Sequence, residues 1–214
     1  MRIRWHGHSC FEISTEGTTI VLDPHDGKSL GIKTPSATAD LVLISHDHYD
    51  HNASRSIDGN FKTYSMKNGR FEFKNIPFYG LSTFHDGEEG RIRGMNTMYR
   101  FTIEGMTLCH CGDLGCIPNQ KIINAIKEVD FLFVPVGGTY TLEKPELKQF
   151  IEMVNPRIIV PMHYRFGGLT IPIAGVDDFL EMIPEDFIEY VGNSVDIMKD
   201  ELPEIKECWV FDRR

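Results

Sequence analysis

The stretch Ser45-His46-Asp47-His48-Tyr49-Asp50-His51 places three histidines and two aspartates within seven residues. It follows directly on the apolar run Leu41-Val42-Leu43-Ile44, whose length and composition indicate a buried strand. Neutral imidazole nitrogen is the commonest protein ligand of borderline divalent metals such as zinc. The pattern therefore predicts a strand that delivers metal ligands into the loop behind it.

Further candidate ligands follow other apolar strands of the chain. His85 comes after residues 81–84, Asp113 after residues 107–112, and His163 after residues 158–162. Loops at the carboxyl ends of strands usually converge on one crevice in open α/β sheets, so we expect these side chains to meet at one edge. The predicted donors are His46, His48, Asp50, His51, His85, Asp113 and His163. Seven donors are too many for one tetrahedral zinc and fit two ions with a bridging carboxylate and a water.

Length and composition indicate a globular protein with one medium domain. A chain of 214 residues can bury about 70% of its unfolded surface, and 41% hydrophobic with 25% charged residues is ordinary for such a domain. The net charge of −9 argues against a nucleic-acid partner bound through a broad basic surface. No apolar stretch approaches the roughly 20 residues of a membrane span, and residues 1–6 lack the apolar core of a signal peptide. We therefore predict a cytoplasmic location and no membrane partner.

The five cysteines are an odd number, which suits reduced thiols in a reducing compartment. Cys109, Cys111 and Cys116 suggest a zinc–thiolate site as an alternative, but no second cysteine pair follows at finger-like spacing. Buried structural cysteines are the favoured interpretation.

The first hundred residues predict short strands, and helices enter later. Strands are expected at residues 3–5, 11–13, 19–22, 41–44, 61–64, 71–73, 78–84, 97–103, 106–110, 131–136 and 158–160. Helices are expected over the apolar stripes within residues 122–129, 147–154 and 176–183. Strands followed by alternating strand and helix predict sheets covered by helices in a layered sandwich.

These motifs resemble those of a known family. The segment His46-Asp47-His48-Tyr49-Asp50-His51 resembles the His-x-His-x-Asp-His signature of the metallo-β-lactamase superfamily, and His85, Asp113 and His163 match the order of its later ligands. The motifs most similar to the hydrolases related to L-ascorbate-6-phosphate lactonase are Gly7-His8-Ser9, Leu22-Asp23-Pro24, Cys111-Gly112-Asp113-Leu114 and Pro135-Val136-Gly137-Gly138. The resemblance implies an α/β fold, a four-layer αββα sandwich, in a single hydrolase domain over residues 1–214.

The resemblance also implies how the donors divide. It assigns His46, His48 and His85 to one metal and Asp50, His51 and His163 to the other, with Asp113 bridging. Two divalent ions are implied, with Zn²⁺ expected and Mn²⁺, Fe²⁺ or Ni²⁺ as alternatives. Flavodiiron oxidoreductases of this superfamily usually carry a glutamate where this chain has His48, so the imidazole favours hydrolysis. Such paired ions turn a water into a hydroxide that attacks a carbonyl carbon or a phosphorus atom.

Three further residues receive roles from the resemblance. Asp50 is expected to orient the hydroxide as well as to hold metal. His8 is expected near the metals, where it orients a ligand or contacts substrate; the alternative is a turn histidine hydrogen-bonded to backbone. Asp23 is expected to accept a hydrogen bond from a ligand imidazole, and the alternative is a simple turn cap. Of the remaining histidines, His110 is expected in the core, His6 in a structural turn and His25 in a loop or at the cleft entrance.

Clues to the substrate are few. Arg91 and Arg93 lie in a polar loop behind His85, and guanidinium groups bind phosphate or carboxylate through two hydrogen bonds. The alternative is that both are solvated and offset two nearby glutamates. Tyr164, beside His163, is a third candidate for substrate contact.

We therefore predict a metal-dependent hydrolase of a small molecule such as a lactone or a phosphorylated metabolite. A phosphodiesterase or RNA-processing nuclease on the same centre is one alternative, although such enzymes usually add a binding arm or domain. A non-catalytic binding protein of this fold is another, and the complete donor set argues against it. Assembly into a homo-oligomer is left open.

Overall fold

Strands make up most of the regular structure in the computed structural model, which describes residues 1–212. They are β1 (Arg2–Gly7), β2 (Cys10–Ser14), β3 (Thr19–Leu22), β4 (Leu41–Ile44), β5 (Lys62–Ser65), β6 (Gly69–Phe73), β7 (Ile76–Phe84), β8 (Met95–Ile103), β9 (Met106–His110), β10 (Phe131–Pro135), β11 (Ile158–Met162), β12 (Ile188–Gly192), β13 (Ser194–Asp196) and β14 (Glu207–Phe211). The helices are α1 (Gln120–Ile126), α2 (Lys144–Val154) and α3 (Asp177–Leu180). Every predicted strand lies within one or two residues of an observed one.

The first sheet has six strands in the order β13-β1-β2-β3-β4-β5. Its inner face carries alternate residues of β1 to β4, such as Ile13, Leu22 and Leu43, and these share one core with the second sheet. Val21 and Val42 point to the opposite face and are equally buried. Because both faces are covered, β3 and β4 read as continuous apolar runs instead of alternating ones.

The second sheet has eight strands in the order β12-β14-β11-β10-β9-β8-β7-β6. Strands β6 to β9 form an antiparallel meander, and β9, β10, β11 and β14 run parallel. Helix α1 connects β9 to β10 and α2 connects β10 to β11. Right-handed crossovers between successive neighbours place both helices on the same face of the sheet.

The helices follow the predicted stripes with shifted ends. Helix α2 buries Leu147, Phe150, Ile151 and Val154, as predicted. Helix α1 starts after Asn119, whose side chain accepts a hydrogen bond from the Ile122 amide, and it ends at Ile126, before the expected position. The backbone becomes extended at Lys127 and left-handed at Glu128, which carries Val129 into the core outside the helix.

Three strands beyond residue 183 have no counterpart in the sequence prediction. Strand β13 pairs with β1, whereas β12 and β14 extend the second sheet. Strand β13 has only three residues, and β12 is mostly exposed or half-buried. The local patterns of β12 and β13 are weak, so pairing with distant strands determines their structure.

The layers differ on the two sides of the sandwich. Helices cover the second sheet, whereas the outer face of the first sheet packs against Ala37, Ala39 and Ile57, which lie in loops and beside a 3₁₀ turn. The predicted α/β fold of the metallo-β-lactamase type with two central sheets is confirmed, and the single domain over residues 1–214 stays a prediction. None of the described helices is long and apolar enough to span a membrane.

Candidate metal centre

All seven predicted donors lie in loops at one edge of the two sheets. They follow β4, β7, β9 and β11 at the carboxyl end of each strand, as strand-end convergence predicts. His48 is half-buried, and the other six donors are buried. The fold therefore gathers residues separated by more than a hundred positions in sequence.

One group consists of His46, His48 and His85. One ligand atom from each lies within 4.8 Å of the others. The ring centroids of His46 and His48 are 4.6 Å apart, and those of His48 and His85 are 4.9 Å apart. These three are the residues that the family resemblance assigned to one metal.

A second group consists of Asp50, His51 and His163, joined by His8. Their ligand atoms also lie within 4.8 Å of one another. His8 Nε2 lies 3.0 Å from Asp50 Oδ2, and the His8 and His163 ring centroids are 4.3 Å apart. Of the two hypotheses for His8, the structure supports the one that places its side chain in the centre.

Asp113 lies between the two groups. Its Oδ2 atom is 3.3 Å from His51 Nε2 and 3.1 Å from His163 Nε2. The same oxygen is 3.3 Å from His85 Nε2 and 3.8 Å from His46 Nε2. One carboxylate oxygen thus faces imidazoles of both groups, the arrangement expected of a bridging ligand.

Unpaired buried atoms provide a test of whether these residues fit a metal. His46 Nε2, His51 Nε2 and Asp113 Oδ1 are buried without a hydrogen-bond partner in the described part of the chain. Each buried polar atom without a partner lowers the stability of the fold by about 1–3 kcal/mol, so a bound ligand at these atoms would remove that cost. Imidazole nitrogens and carboxylate oxygens are donors that borderline divalent ions accept. The residues present therefore fit a metal centre.

Protonation states agree with this fit. Burial lowers the pKa of His8 and of His46 to about 3, so both imidazoles are neutral near pH 7. Burial alone would raise the pKa of Asp113, but the imidazoles of His163 and His51 outweigh it and hold that pKa well below the ordinary value. Neutral imidazole and ionised carboxylate are the forms that bind metals.

His51 differs from His8 and His46 in its pKa. Burial lowers its pKa, but the carboxylates of Asp113, Asp50 and Asp23 together raise it well above the ordinary value. A proton and a cation therefore compete for the same ring, and metal binding there releases a proton.

Asp23 orients candidate ligands of both groups. Its Oδ2 atom accepts hydrogen bonds from His51 Nδ1 at 2.9 Å and from Ser45 Oγ at 2.6 Å. Ser45 Oγ in turn lies 2.9 Å from His46 Nδ1, so it accepts the proton of that nitrogen. Both rings consequently direct Nε2 toward the centre, as the prediction for Asp23 requires.

Three residues of the site have a left-handed backbone: His8 with φ 55°, Asp23 with φ 44° and His163 with φ 52°. Such conformations cost about 1–3 kcal/mol for non-glycine residues and persist where surrounding contacts impose them. The His8 carbonyl accepts hydrogen bonds from Trp5 Nε1 at 3.0 Å and from the His163 amide at 3.3 Å. These bonds join the β1–β2 turn to the loop after β11.

Asn96, which was not among the predicted site residues, holds the turn that carries Asp113. Asn96 Oδ1 accepts from the Asp113 amide at 3.1 Å, and its Nδ2 donates to the Cys111 carbonyl at 2.8 Å. The turn also needs Gly112, with φ 55°, because a Cβ there would lie 2.6 Å from Ser45 Cβ. Asn96 lies within strand β8, so no local pattern distinguishes it from an ordinary strand residue.

His110 is a buried core histidine, as predicted, and it connects two turns of the site. Its Nδ1 accepts from the Gly112 amide at 3.2 Å, so the proton sits on Nε2, which donates to the Ser9 carbonyl at 2.9 Å. Burial lowers the pKa of His110 and keeps the ring neutral.

We expect His110→Phe to lower the free energy of unfolding by about 2–4 kcal/mol, because the Gly112 amide and the Ser9 carbonyl lose their partners. Denaturant titration of the metal-loaded protein measures the change. His6→Phe is the control, since the His6 ring contacts the Glu12 side chain at 2.9 Å instead of backbone. Equal losses in the two variants would contradict the proposed link.

A cleft of about 380 Å³ opens over the donors. Its lining comprises His48, Tyr49, Asp50, His85, Arg93, Asp113, Tyr140, His163, Thr170, Ile171 and Pro172. Volumes of this size accommodate small molecules. Arg93 therefore lies where substrate contact was predicted.

Arg91 and Tyr164 lie outside this cleft, contrary to their predicted contact with substrate. The exposed Arg91 guanidinium donates to Glu88 Oε2 at 2.7 Å, so it is paired locally. Tyr164 is buried, its hydroxyl donates to the Phe211 carbonyl at 2.8 Å, and its ring stacks on Trp5. The Tyr164 side chain therefore points into the core and not into the cleft.

The cysteines take no part in the donor groups found among residues 1–212. Cys10, Cys109, Cys111 and Cys208 are buried, Cys116 is half-buried, and all five are free thiols. This agrees with the structural interpretation of the cysteines.

Comparison with known proteins places the chain in a family. The β-lactamase superfamily domain matches residues 2–163. A crystal structure from Thermotoga maritima, described as a candidate Zn-dependent hydrolase of the metallo-β-lactamase superfamily, is 37% identical with a TM-score of 0.81, covering 98% of this chain and 97% of that one.

Curated bacterial relatives agree with this match. A UPF0173 metal-dependent hydrolase of Lysinibacillus sphaericus is 28% identical, covering 93% of this chain and 96% of the relative. Another from Carboxydothermus hydrogenoformans is 29% identical, covering 83% and 88%. The predicted superfamily and enzyme class are confirmed, whereas the L-ascorbate-6-phosphate lactonase-like branch stays a prediction. The chain belongs to the β-lactamase superfamily domain family, within the metallo-β-lactamase superfamily of metal-dependent hydrolases.

Proposed function

We propose that this metal-dependent hydrolase works with two divalent ions, Zn²⁺ being the expected metal, on a small-molecule substrate. The observation that carries the proposal is the position of Asp113 Oδ2, within 3.8 Å of four imidazoles drawn from both donor groups. His46, His48 and His85 would hold one ion, and Asp50, His51 and His163 the other. Zinc accepts such sets of imidazole and carboxylate donors.

When bound, paired divalent ions lower the pKa of a water and polarise an oxygen of the substrate. Asp50 lines the cleft and is ionised: burial alone would raise its pKa, but His51 and His8 hold it well below the ordinary value. We assign Asp50 the role of orienting the attacking hydroxide, which an ionised carboxylate can do as a hydrogen-bond acceptor. His8 donates from Nε2 to Asp50 Oδ2 and so keeps that carboxylate oriented.

The size and lining of the cleft support a small substrate. A volume of about 380 Å³ suits a lactone or a phosphorylated metabolite, and Tyr140, Ile171 and Pro172 supply an apolar wall. A phosphodiesterase or nuclease on the same centre remains the alternative. Cleavage of oligonucleotides without turnover of lactones or small esters would favour that alternative.

Metal analysis of single-ligand variants tests the dinuclear centre. We expect about two ions per chain in the wild-type protein and about one in His48→Ala, because this change removes a donor of one group only. His163→Ala should likewise lose one ion and most turnover. Inductively coupled plasma mass spectrometry after exhaustive dialysis measures the stoichiometry.

Asp47→Asn is the control, since Asp47 is exposed and its Oδ1 accepts a hydrogen bond from Asn52. It should keep both ions. One ion in the wild-type protein, retained in His48→Ala, would contradict the proposal. Turnover of a lactone, phosphodiester or thioester that chelation abolishes and one metal restores would identify the reaction class.

A further inference from the structure

Arg93 is one of the residues that line the cleft. Among the residues that line the cleft in the described chain, it is the one lysine or arginine. Its guanidinium carbon lies 4.4 Å from the centre of the Tyr140 ring, so the cation rests on an aromatic face. No carboxylate within residues 1–212 forms an ion pair with it, in contrast to Arg91.

The N–H donors of the Arg93 guanidinium form no hydrogen bond within residues 1–212. A guanidinium can donate two parallel hydrogen bonds in its own plane to one anionic group. The two carboxylates of the cleft wall, Asp50 and Asp113, belong to the proposed metal centre. The in-plane donors of Arg93 are therefore available to an anionic group that enters the cleft.

Hydrogen bonds to the Asp86 side chain fix the backbone of the loop that carries Arg93. The Asp86 carboxylate accepts four backbone hydrogen bonds, from the amides of Glu88, Gly90, Ile92 and Arg93 at 2.7–3.0 Å. Asp86 directly follows the candidate ligand His85. The same turn thus fixes the backbone of Arg93 relative to the donor groups, which favours a specific contact over a solvated side chain.

We infer that Arg93 receives an oxyanion group of the substrate, a phosphate or a carboxylate, so that the substrate is a small anion bound at one end by Arg93. Both groups match the paired N–H donors of guanidinium. The inference deepens the proposed function: that the bound anion is hydrolysed rests on the proposed function. Binding of the anion by Arg93 does not, because binding is measurable without turnover.

Calorimetric titration of the metal-loaded protein with inorganic phosphate, and separately with acetate, tests the inference. We expect Arg93→Ala to bind the preferred anion about 10–100-fold more weakly, since a charge-assisted pair is lost. Arg93→Lys should lie in between, because lysine keeps the charge without the fork. The anion that binds more tightly, phosphate or acetate, indicates whether phosphate or carboxylate is the recognised group.

Arg91→Ala is the matched control, because Arg91 belongs to the same loop and pairs with Glu88. It should bind both anions within about twofold of the wild-type affinity. All variants should keep the wild-type metal content, which separates loss of the anion site from loss of the centre. Equal affinity of Arg93→Ala and the wild-type protein for both anions would overturn the inference.

A second measurement uses a pair of nitrophenyl esters, one with a remote carboxylate and one with that carboxylate methylated. The wild-type protein should prefer the charged ester in kcat/KM, and Arg93→Ala should lose this preference chiefly through KM. A preference that persists in Arg93→Ala would also overturn the inference. Anion binding through Arg93 in a protein that hydrolyses nothing would instead refute the proposed function alone.

Discussion

Asp113→Asn is expected to lower kcat/KM by more than about 100-fold and to reduce the bound metal. Outer partners of metal ligands already contribute about 10–100-fold to affinity or activity, and a direct bridging ligand should contribute at least as much. Asparagine keeps the size of the side chain but removes the charge that faces four imidazoles. The loss of metal and activity should therefore come from the missing charge, because the shape of the side chain hardly changes.

Metal content and turnover, measured on the same preparation, check this expectation. Asp47→Asn is the control, because it makes the same chemical change at an exposed position within the signature of residues 46–51. It should retain both metal and activity. If Asp113→Asn kept the wild-type metal content and turnover, Asp113 would not bridge, and the two donor groups would have to act separately.

Asp23→Asn is expected to weaken metal binding about 10–100-fold although Asp23 is not assigned as a ligand. The Asp23 carboxylate accepts hydrogen bonds from Ser45 Oγ and His51 Nδ1 on Oδ2 and from the Ser45 amide on Oδ1, so an asparagine NH₂ at either position would face a donor. His46, held through Ser45, and His51 should then lose their fixed orientation together. Both ions are affected because the two histidines belong to different groups.

Competition with a chromogenic chelator measures this loss for each metal. Asp26→Asn is the control, since Asp26 lies in the same segment, is only partly buried and caps the Ser29 amide. Wild-type affinity in Asp23→Asn would show that its hydrogen bonds do not orient the ligands. If Asp23→Asn weakened the binding of only one ion, Asp23 would orient only one of the two imidazoles.

Much of the site was predictable because it depends on local chemistry. The signature at residues 46–51 and the single donors His85, Asp113 and His163 each follow an apolar strand. Strand periodicity and imidazole chemistry can be recognised within a few residues, so the donors were correctly gathered at one edge. The apolar stripe of helix α2 was predictable for the same reason.

Other features required the tertiary structure. Arg91 and Arg93 are two residues apart and look alike in sequence, yet one pairs with Glu88 and the other lines the cleft. The backbone path around Asp86 determines the difference. Tyr164, next to a candidate ligand, points into the core because successive side chains diverge at a strand end.

Residue chemistry and short-range periodicity specify the donor types and the strands that carry them. The folded chain was needed to find the pairing of β13 with β1, the entry of His8 into the second donor group and the hydrogen bonds of Asn96 to the Asp113 turn. Those contacts join residues far apart in the chain. Their geometry depends on how the sheets pack, which local patterns do not encode.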